Sequence, residues 1–260
     1  MRMVTNTKKI PVEHREIYLD SLPSQFDNYK ILFLSDFHID KNHNRFDSVL
    51  KIVRKEKYDI CLLGGDYINN INFIDKLKLF LKELKKHSKV YAIVGNHDYK
   101  IGKQKIVNLF KELKIKLLLN ESITIKKSNV EFDLIGVESA VYDDDFVGIK
   151  SDLKKALKNS KNKAKILLSH TPDIVIHEDM KDISLVLSGH THAGQIVLPV
   201  IGPLYTSSRL KRKYSKGLFT IKNTKIYVSR GLGNSKVFSI PFTLRFNCPY
   251  EITMIKLKAR

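Results

Sequence analysis

The sequence predicts an α/β fold built on parallel β-α-β units. Three observations carry that reading. Short apolar runs recur along the chain, and each ends abruptly at a polar residue. Stretches with helical spacing of apolar residues separate the first of these runs. Asp36 to Asp66 and Asp66 to Asn96 are each 30 residues, about the length of one β-α-β unit.

The runs justify themselves in order. Ile31–Leu34 stops at Ser35-Asp36, and Ile60–Leu63 stops at Gly64-Gly65-Asp66. Val90–Val94 stops at Gly95-Asn96-His97-Asp98, Ile166–Leu168 at Ser169-His170, and Leu185–Leu187 at Ser188-Gly189-His190. Continuous apolar runs of this length read as strands covered on both faces. Between them, Phe46, Val49, Leu50 and Val53 repeat at helix spacing, as do Phe73, Ile74, Leu77, Phe80, Leu81 and Leu84. Ile106, Leu109, Phe110 and Leu113 form a third such face, and Leu153, Ala156 and Leu157 a fourth. From Glu121 onward strands come closer together, at 123–125 and 132–135. The chain closes with strand-like segments at 217–221, 225–229 and 250–257. No internal repeat, low-complexity linker or composition shift divides it. The expectation is one domain over 1–260, with a β-rich lead-in (1–28), a motif-bearing core (29–195) and a β-rich closing segment (196–260).

Composition narrows the class. Hydrophobic residues make up 43% and charged residues 28% of 260 residues, enough for a sizeable core and unlike a disordered chain. The formal charge is +19, from 37 Lys against only 9 Arg. The lysines are scattered over helix faces, which reads as a solvated surface. The competing reading is attraction to a polyanion, whether nucleic acid, acidic lipid headgroups or a nucleotide. Cys61 lies in an apolar run far from Cys248, and no Cys-x-x-Cys pair suggests a zinc ribbon or redox site. No run reaches the ~18 apolar residues of a membrane span. The polar start, Met1–Lys9, lacks the apolar centre of a signal peptide. These features predict a cytoplasmic protein, with peripheral contact to the inner face of an acidic membrane open to it through its lysines.

Polar residues at the carboxyl ends of parallel strands converge on one crevice. Here they are Asp36, His38, Asp66, Asn96, His97, His170, His190 and His192, and they include five of the nine histidines. In extended chain, Asp36 and His38 point to one side, and so do His190 and His192. Carboxylate oxygen with imidazole nitrogen suits first-row divalent metals. Setting His97 aside, seven such ligands are too many for one tetrahedral zinc and suit two ions ~3.5–4 Å apart. A lone strand-end His is more often a surface or satisfied core residue. Five strand ends that each supply a ligand type are harder to explain as packing, because buried unpaired charge is costly.

Asp36-Phe37-His38, Gly65-Asp66, Gly95-Asn96-His97-Asp98, His170 and Gly189-His190-Thr191-His192 resemble the five ordered motifs of calcineurin-like metallophosphoesterases, over about Lys30 to Gln195. The resemblance implies a four-layer α/β/β/α sandwich with two mixed β-sheets. It implies two divalent ions, Mn²⁺, Fe²⁺ or Zn²⁺. Asp36, His38, Asp66 and His192 would hold the first. Asp66, Asn96, His170 and His190 would hold the second, with Asp66 bridging. His97 would face the substrate as electrostatic stabiliser or proton donor. Asp98 would orient His97 through its ring nitrogen; the competing reading is that Asp98 caps the following helix.

The chain is not similar in detail to the Ser/Thr protein phosphatases, since Tyr67-Ile68-Asn69-Asn70 follows Asp66 and the later motif ends in Asp98. His190–Gln195, Pro199–Pro203, Tyr214–Leu218 and Ser229–Gly233 are closer to a bacterial subgroup of envelope phosphodiesterases, which includes a UDP-2,3-diacylglucosamine pyrophosphatase. Ala193 stands where a second Gly would be expected. In the basic loop, Arg209, Lys211, Arg212 and Lys213 are either a clamp on a phosphate or acidic headgroup, or a solvated surface. Arg230 and Arg245 are further candidates for that clamp. Leu204, Tyr205 and Phe238 read as core packing ahead of an acyl or sugar pocket. The expected function is hydrolysis of a phosphodiester or pyrophosphate in a small, nucleotide-sugar or lipid-linked substrate, with no obligate protein partner. A metal-dependent nuclease is the alternative, ranked second because the chain ends soon after its core without a DNA-capping domain. A non-catalytic scaffold would predict a broken ligand set, and here every ligand position is filled.

Overall fold

The computed structural model describes residues 10–40, 45–138, 151–235 and 245–260. The polar start Met1–Lys9 and Phe238 therefore lie outside the described residues. Two six-stranded mixed sheets form the centre. The first runs in the order β1 (Val12–Leu19), β14 (Ile252–Ala259), β2 (Lys30–Leu34), β3 (Ile60–Leu63), β4 (Lys89–Ala92), β5 (Lys116–Leu117). From β2 to β5 all neighbours are parallel, and β14 is antiparallel to β2. The second runs β12 (Gly217–Ile221), β13 (Thr224–Val228), β9 (Leu185–Ser188), β8 (Lys165–Leu168), β7 (Val130–Gly136), β6 (Glu121–Lys127). Strands β13, β9, β8 and β7 are parallel, with an antiparallel strand at each edge. A small ribbon, β10 (Val197–Leu198) with β11 (Gly202–Pro203), stands apart from both sheets.

The apolar runs explain the layering. Successive side chains of a strand point to opposite faces, and here both faces are dry. Ile31, Phe33, Ile60 and Leu62 of the first sheet meet Phe132, Leu134, Ile166, Leu168, Leu185 and Leu187 of the second, forming the core between the sheets. Leu32, Leu34, Cys61 and Leu63 point the other way, under α1 (Arg45–Lys55), α2 (Ile74–Lys85) and α4 (Lys103–Glu112). On the far side, Ile135, Leu167 and Val186 are covered by α5 (Leu153–Leu157) and α6 (Ile174–His177). The result is the expected α/β/β/α sandwich. Cys61 and Cys248 are both buried free thiols.

The outer segments join one sheet. β1 from the lead-in pairs in parallel with β14 from the closing segment, so chain start and chain end complete the first sheet together. No helix among the described residues is long and apolar enough to cross a membrane.

The inter-sheet core makes one stability prediction. Phe132 is fully buried, edge-on to Phe26 at 4.9 Å and Tyr29 at 5.9 Å between ring centroids. Phe132→Ala is expected to cost about 3–5 kcal/mol of unfolding free energy, read from urea denaturation. A loss under about 1 kcal/mol would show that the ring is not clamped between the sheets.

Candidate metal centre

The parallel strands of both sheets end at one edge of the sandwich, and their following loops meet there. Asp36 and His38 follow β2, Asp66 follows β3, and Asn96 opens the short helix α3 (Asn96–Lys100) after β4. His170 follows β8, and His190 and His192 follow β9. Asp36, His38, Asp66, His170 and His192 are each at most 3% exposed. Asp66 Oδ2 lies 3.4 Å from His38 Nε2 and 3.2 Å from His170 Nε2. His192 Nε2 is 3.1 Å from His38 Nε2 and 3.6 Å from Asp36 Oδ1. His170 Nε2 is 4.0 Å from Asp36 Oδ1, and His190 Nδ1 is 3.1 Å from Asn96 Oδ1. The seven residues read as ligands are thus brought into one crevice.

They get there by a route other than the extended chain expected from the sequence. Asp36, His38, Asp66, His190 and His192 have φ of 53°, 44°, 57°, 68° and 48°. All five are left-handed, a conformation that Asp, Asn and His tolerate better than most residues but that still carries strain. Tight left-handed turns, rather than strand pleat, aim the paired side chains inward. Two glycines make room for the carboxylates. A Cβ on Gly189 would run into Asp36 Oδ2, and one on Gly95 into Asp66 Oδ1.

The backbone around the carboxylates is fixed by hydrogen bonds. The His97 amide donates to Asp66 Oδ1 at 2.9 Å. Asp36 accepts from the His190 amide at 2.9 Å and from Ser35 Oγ at 2.6 Å. Asp98 corrects one expectation. Its buried carboxylate accepts the amides of Gly95 (2.7 Å), Asp66 (2.9 Å) and Tyr67 (3.0 Å). That is the capping role with two added donors from the neighbouring loop, so Asp98 positions Asp66 and not the His97 ring. The His97 ring is partly exposed and stands edge-on to His38 at 4.7 Å.

A family model described as calcineurin-like phosphoesterase matches residues 29–194 of the chain. The chain belongs to the calcineurin-like phosphoesterases. It is 32% identical over 243 residues to phosphodiesterase YaeI of Escherichia coli, covering 88% of this chain and 82% of that protein. An uncharacterised metallophosphoesterase of Campylobacter jejuni is 32% identical over 268 residues; the match covers 99% of this chain and 66% of the relative. A Helicobacter pylori relative, 32% identical over 95% of this chain, is covered over 63% of its own length. The chain therefore spans about two thirds or less of these two relatives. The solved structure of TT1561 from Thermus thermophilus shares the fold, with a TM-score of 0.52 at 14% identity, covering 78% of this chain and 90% of that one.

The donor set of the chain fits divalent cations. His170 Nε2 is buried beside two carboxylates yet makes no aligned hydrogen bond. Its Nδ1 donates to the Gly64 carbonyl at 2.7 Å, which turns Nε2 toward the crevice. His38 is set likewise. Asn69 donates through Nδ2 to the His38 carbonyl and accepts from His38 Nδ1 at 2.8 Å, so Nε2 again faces inward. This outer layer orients ligand rings in metal sites generally. Asn69 and Gly64 carry no sequence signal of their own, because only the β2–β3 register places Asn69 behind His38 and only the packing of the two sheets places Gly64 behind His170. Cys248 Sγ and Arg245 complete the layer around His192. Cys248 bonds the His192 carbonyl, and Arg245 Nη2 donates to His192 Nδ1 at 3.0 Å.

Two arginines depart from the clamp expected of them. Arg245 is buried and also donates to the carbonyls of Arg230 and Gly233, so it braces His192 and the loop beside it. Arg230 lies 2.6 Å from both Glu13 and Glu251 carboxylates, which neutralise its charge. Leu204 and Tyr205 are 44% and 49% exposed, so they are not core. The basic loop is tied to the metal loop at both ends. The backbone of Ser207 hydrogen-bonds the His190 ring, and Thr191 Oγ1 donates to the Ser215 carbonyl at 2.6 Å. Arg209, Lys211 and Arg212 are exposed between those ties.

Burial sets the charge states. It pushes His38 and His190 down to about 3, and His192 and His97 also fall below the usual imidazole range. These rings are neutral; His38 and His190 keep a lone pair for a cation, whereas the Nδ1 lone pair of His192 already accepts from Arg245. Burial raises Asp36 to about 6. At Asp66 burial works upward, but the charge and hydrogen bond of His170 outweigh it and hold the carboxyl low. At His170 burial works downward, but Asp66 and Asp36 prevail and push the ring up to about 10.

Two predictions follow from this geometry. Without a cation His170 holds its proton at neutral pH, and a cation must displace it. Mn²⁺ binding should therefore release about one proton near pH 7, and affinity should climb as pH rises toward the His170 value. Calorimetry in buffers of different ionisation enthalpy reads this; no buffer dependence would contradict it. Asn69→Ala should weaken metal binding by about 10–100-fold, read by metal titration, while unchanged affinity would remove Asn69 from the supporting layer.

Proposed function

We propose that this chain is a binuclear-metal phosphodiesterase. Its substrate class is a phosphodiester or pyrophosphate in a small, nucleotide-sugar or lipid-linked molecule. The observation that carries the reading is Asp66, one of whose carboxylate oxygens faces His38 on one side and His170 on the other. A single oxygen so placed joins both halves of the ligand set. Asp36, His38, Asp66 and His192 would hold one divalent ion, and Asp66, Asn96, His170 and His190 the other. The pair would supply Lewis-acid charge at the phosphoryl group and acidify a water. The diester preference is supported by the likeness to phosphodiesterase YaeI. A lipid-linked nucleotide pyrophosphate is one member of the same class.

The chain's own residues do the rest. His97 is tethered to Asp66 through its backbone amide, which places its ring at the open side of the crevice. Burial lowers its pKa, so at neutral pH it is an uncharged donor that can hydrogen-bond a phosphoryl or leaving oxygen. Asp98 holds the Asp66 turn against α3 and so keeps the two residues in register. Arg209, Lys211 and Arg212, on the loop tied to His190 and Thr191, would hold the phosphate that does not react.

With Mn²⁺ the protein should hydrolyse bis-p-nitrophenyl phosphate. Asp66→Ala should lose both bound metal and turnover. His97→Ala keeps the backbone amide that holds Asp66, so it should retain metal while kcat falls about 10²–10⁴-fold. Elemental analysis beside steady-state kinetics separates the two. Full activity of His97→Ala, or turnover of DNA in place of the diester, would overturn the assignment.

A further inference from the structure

We propose that the β10–β11 ribbon and the basic turn beside it form a docking face for an anionic lipid bilayer. Residues 196–205 (Ile-Val-Leu-Pro-Val-Ile-Gly-Pro-Leu-Tyr) are ten in a row without a charge, in a chain that is 28% charged. They do not build core at the tip. Val200 is 108% exposed and Ile201 64%, and Leu204 and Tyr205 continue the apolar surface. Phe246, 36% exposed, joins the ribbon's base through the bridge to Ile196.

Val200 also has φ 66°. A β-branched residue is strained there, and Gly or Asn would sit more easily. An apolar, strained side chain fully in water is disfavoured on two counts, and insertion into a non-aqueous surface removes one of them. The shape agrees. The tip is a ribbon of two two-residue strands with Val200 and Ile201 at its exposed end, and a deformable lipid interface needs no groove to receive it.

Charge names the partner. From Ile183 to Tyr250 the chain holds no Asp or Glu and ten Lys or Arg. Arg209, Lys211, Arg212, Lys213 and Lys216 are all exposed. Arg212 Nη1 reaches the Pro203 carbonyl at 3.5 Å, so the basic turn and the apolar ribbon make one face. Basic residues around an apolar tip match headgroup phosphates around acyl chains. The face adjoins the metal centre. The ribbon starts three residues after the His192–Gly194 turn, and Gly194 packs against the Tyr205 carbonyl. Docking there would hold the crevice at headgroup level, which deepens the lipid-linked part of the proposed function and rests on that reading only for this last point.

The chain contains no Trp, so Val200→Trp introduces a single indole reporter. With vesicles of equal parts phosphatidylglycerol and phosphatidylcholine, its emission should shift to the blue and be quenched by brominated acyl chains. Sedimentation of the otherwise unchanged chain should show binding to these vesicles and far weaker binding to pure phosphatidylcholine. Val200→Asp/Ile201→Asp should bind at least ~10-fold more weakly, with an unchanged melting temperature and unchanged hydrolysis of a soluble diester. The proposal fails if the emission does not move, if the double variant binds equally well, if neutral vesicles bind as strongly, or if only duplex DNA binds. Vesicle binding is read without turnover, so none of these outcomes bears on whether the crevice hydrolyses phosphodiesters.

Discussion

The fold is organised around one cost: carboxylates and imidazoles gathered in a dry crevice between two packed sheets. Buried unpaired charge is unfavourable by several kcal/mol per group. Here the charges are made tolerable by one another and by a donor set suited to cations. Neutral His38, His190 and His192 add no positive repulsion, while Asp66 and His170 share a charge. Around this centre the local backbone gives way to it. Five residues of the set accept left-handed φ values, and Gly95 and Gly189 lack the Cβ that would strike a carboxylate. The strain is local, and the rigid two-sheet core behind it is what holds it.

The supporting layer shows the same logic at one remove. Asp98 is a carboxylate in the crevice wall, yet all its capacity goes to three backbone amides. Asn69 uses both ends of its amide on His38. Arg245 satisfies carbonyls of the 230–233 loop and the outer nitrogen of His192 together. Each residue binds the loop after one strand to the loop after another. The ligand geometry therefore depends on the register between strands more than on any single loop. Beyond it, the loop carrying His190 and His192 continues into the ribbon and the basic turn, within the part of the chain most devoid of acids.

Much of this was legible in advance, for a definite reason. Apolar runs ending at Asp, Asn or His expose both the strand and its functional end, because a strand buried on two faces cannot carry those residues internally. The helices α1, α2 and α4 announced themselves by apolar spacing and form where it placed them. What misled was local geometry. Asp36-x-His38 and His190-x-His192 look like extended pairs, but their convergence comes from left-handed turns. Arg230 and Arg245 resembled phosphate clamps because nothing in sequence shows Glu13 and Glu251, or His192, beside them. Leu204 and Tyr205 resembled core because apolar character alone does not say which side of the surface a residue lies on.

The sequence by itself determined the α/β class, the run of strand ends and the chemical kind of each donor, since hydrophobic period and residue type are local properties. The tertiary structure alone decided which oxygen of Asp66 faces two histidines, that Asp98 braces the backbone, and that Val200 and Ile201 stand in solvent. Those outcomes depend on distances between residues far apart in the chain, and distances of that kind arise only when the sheets pack.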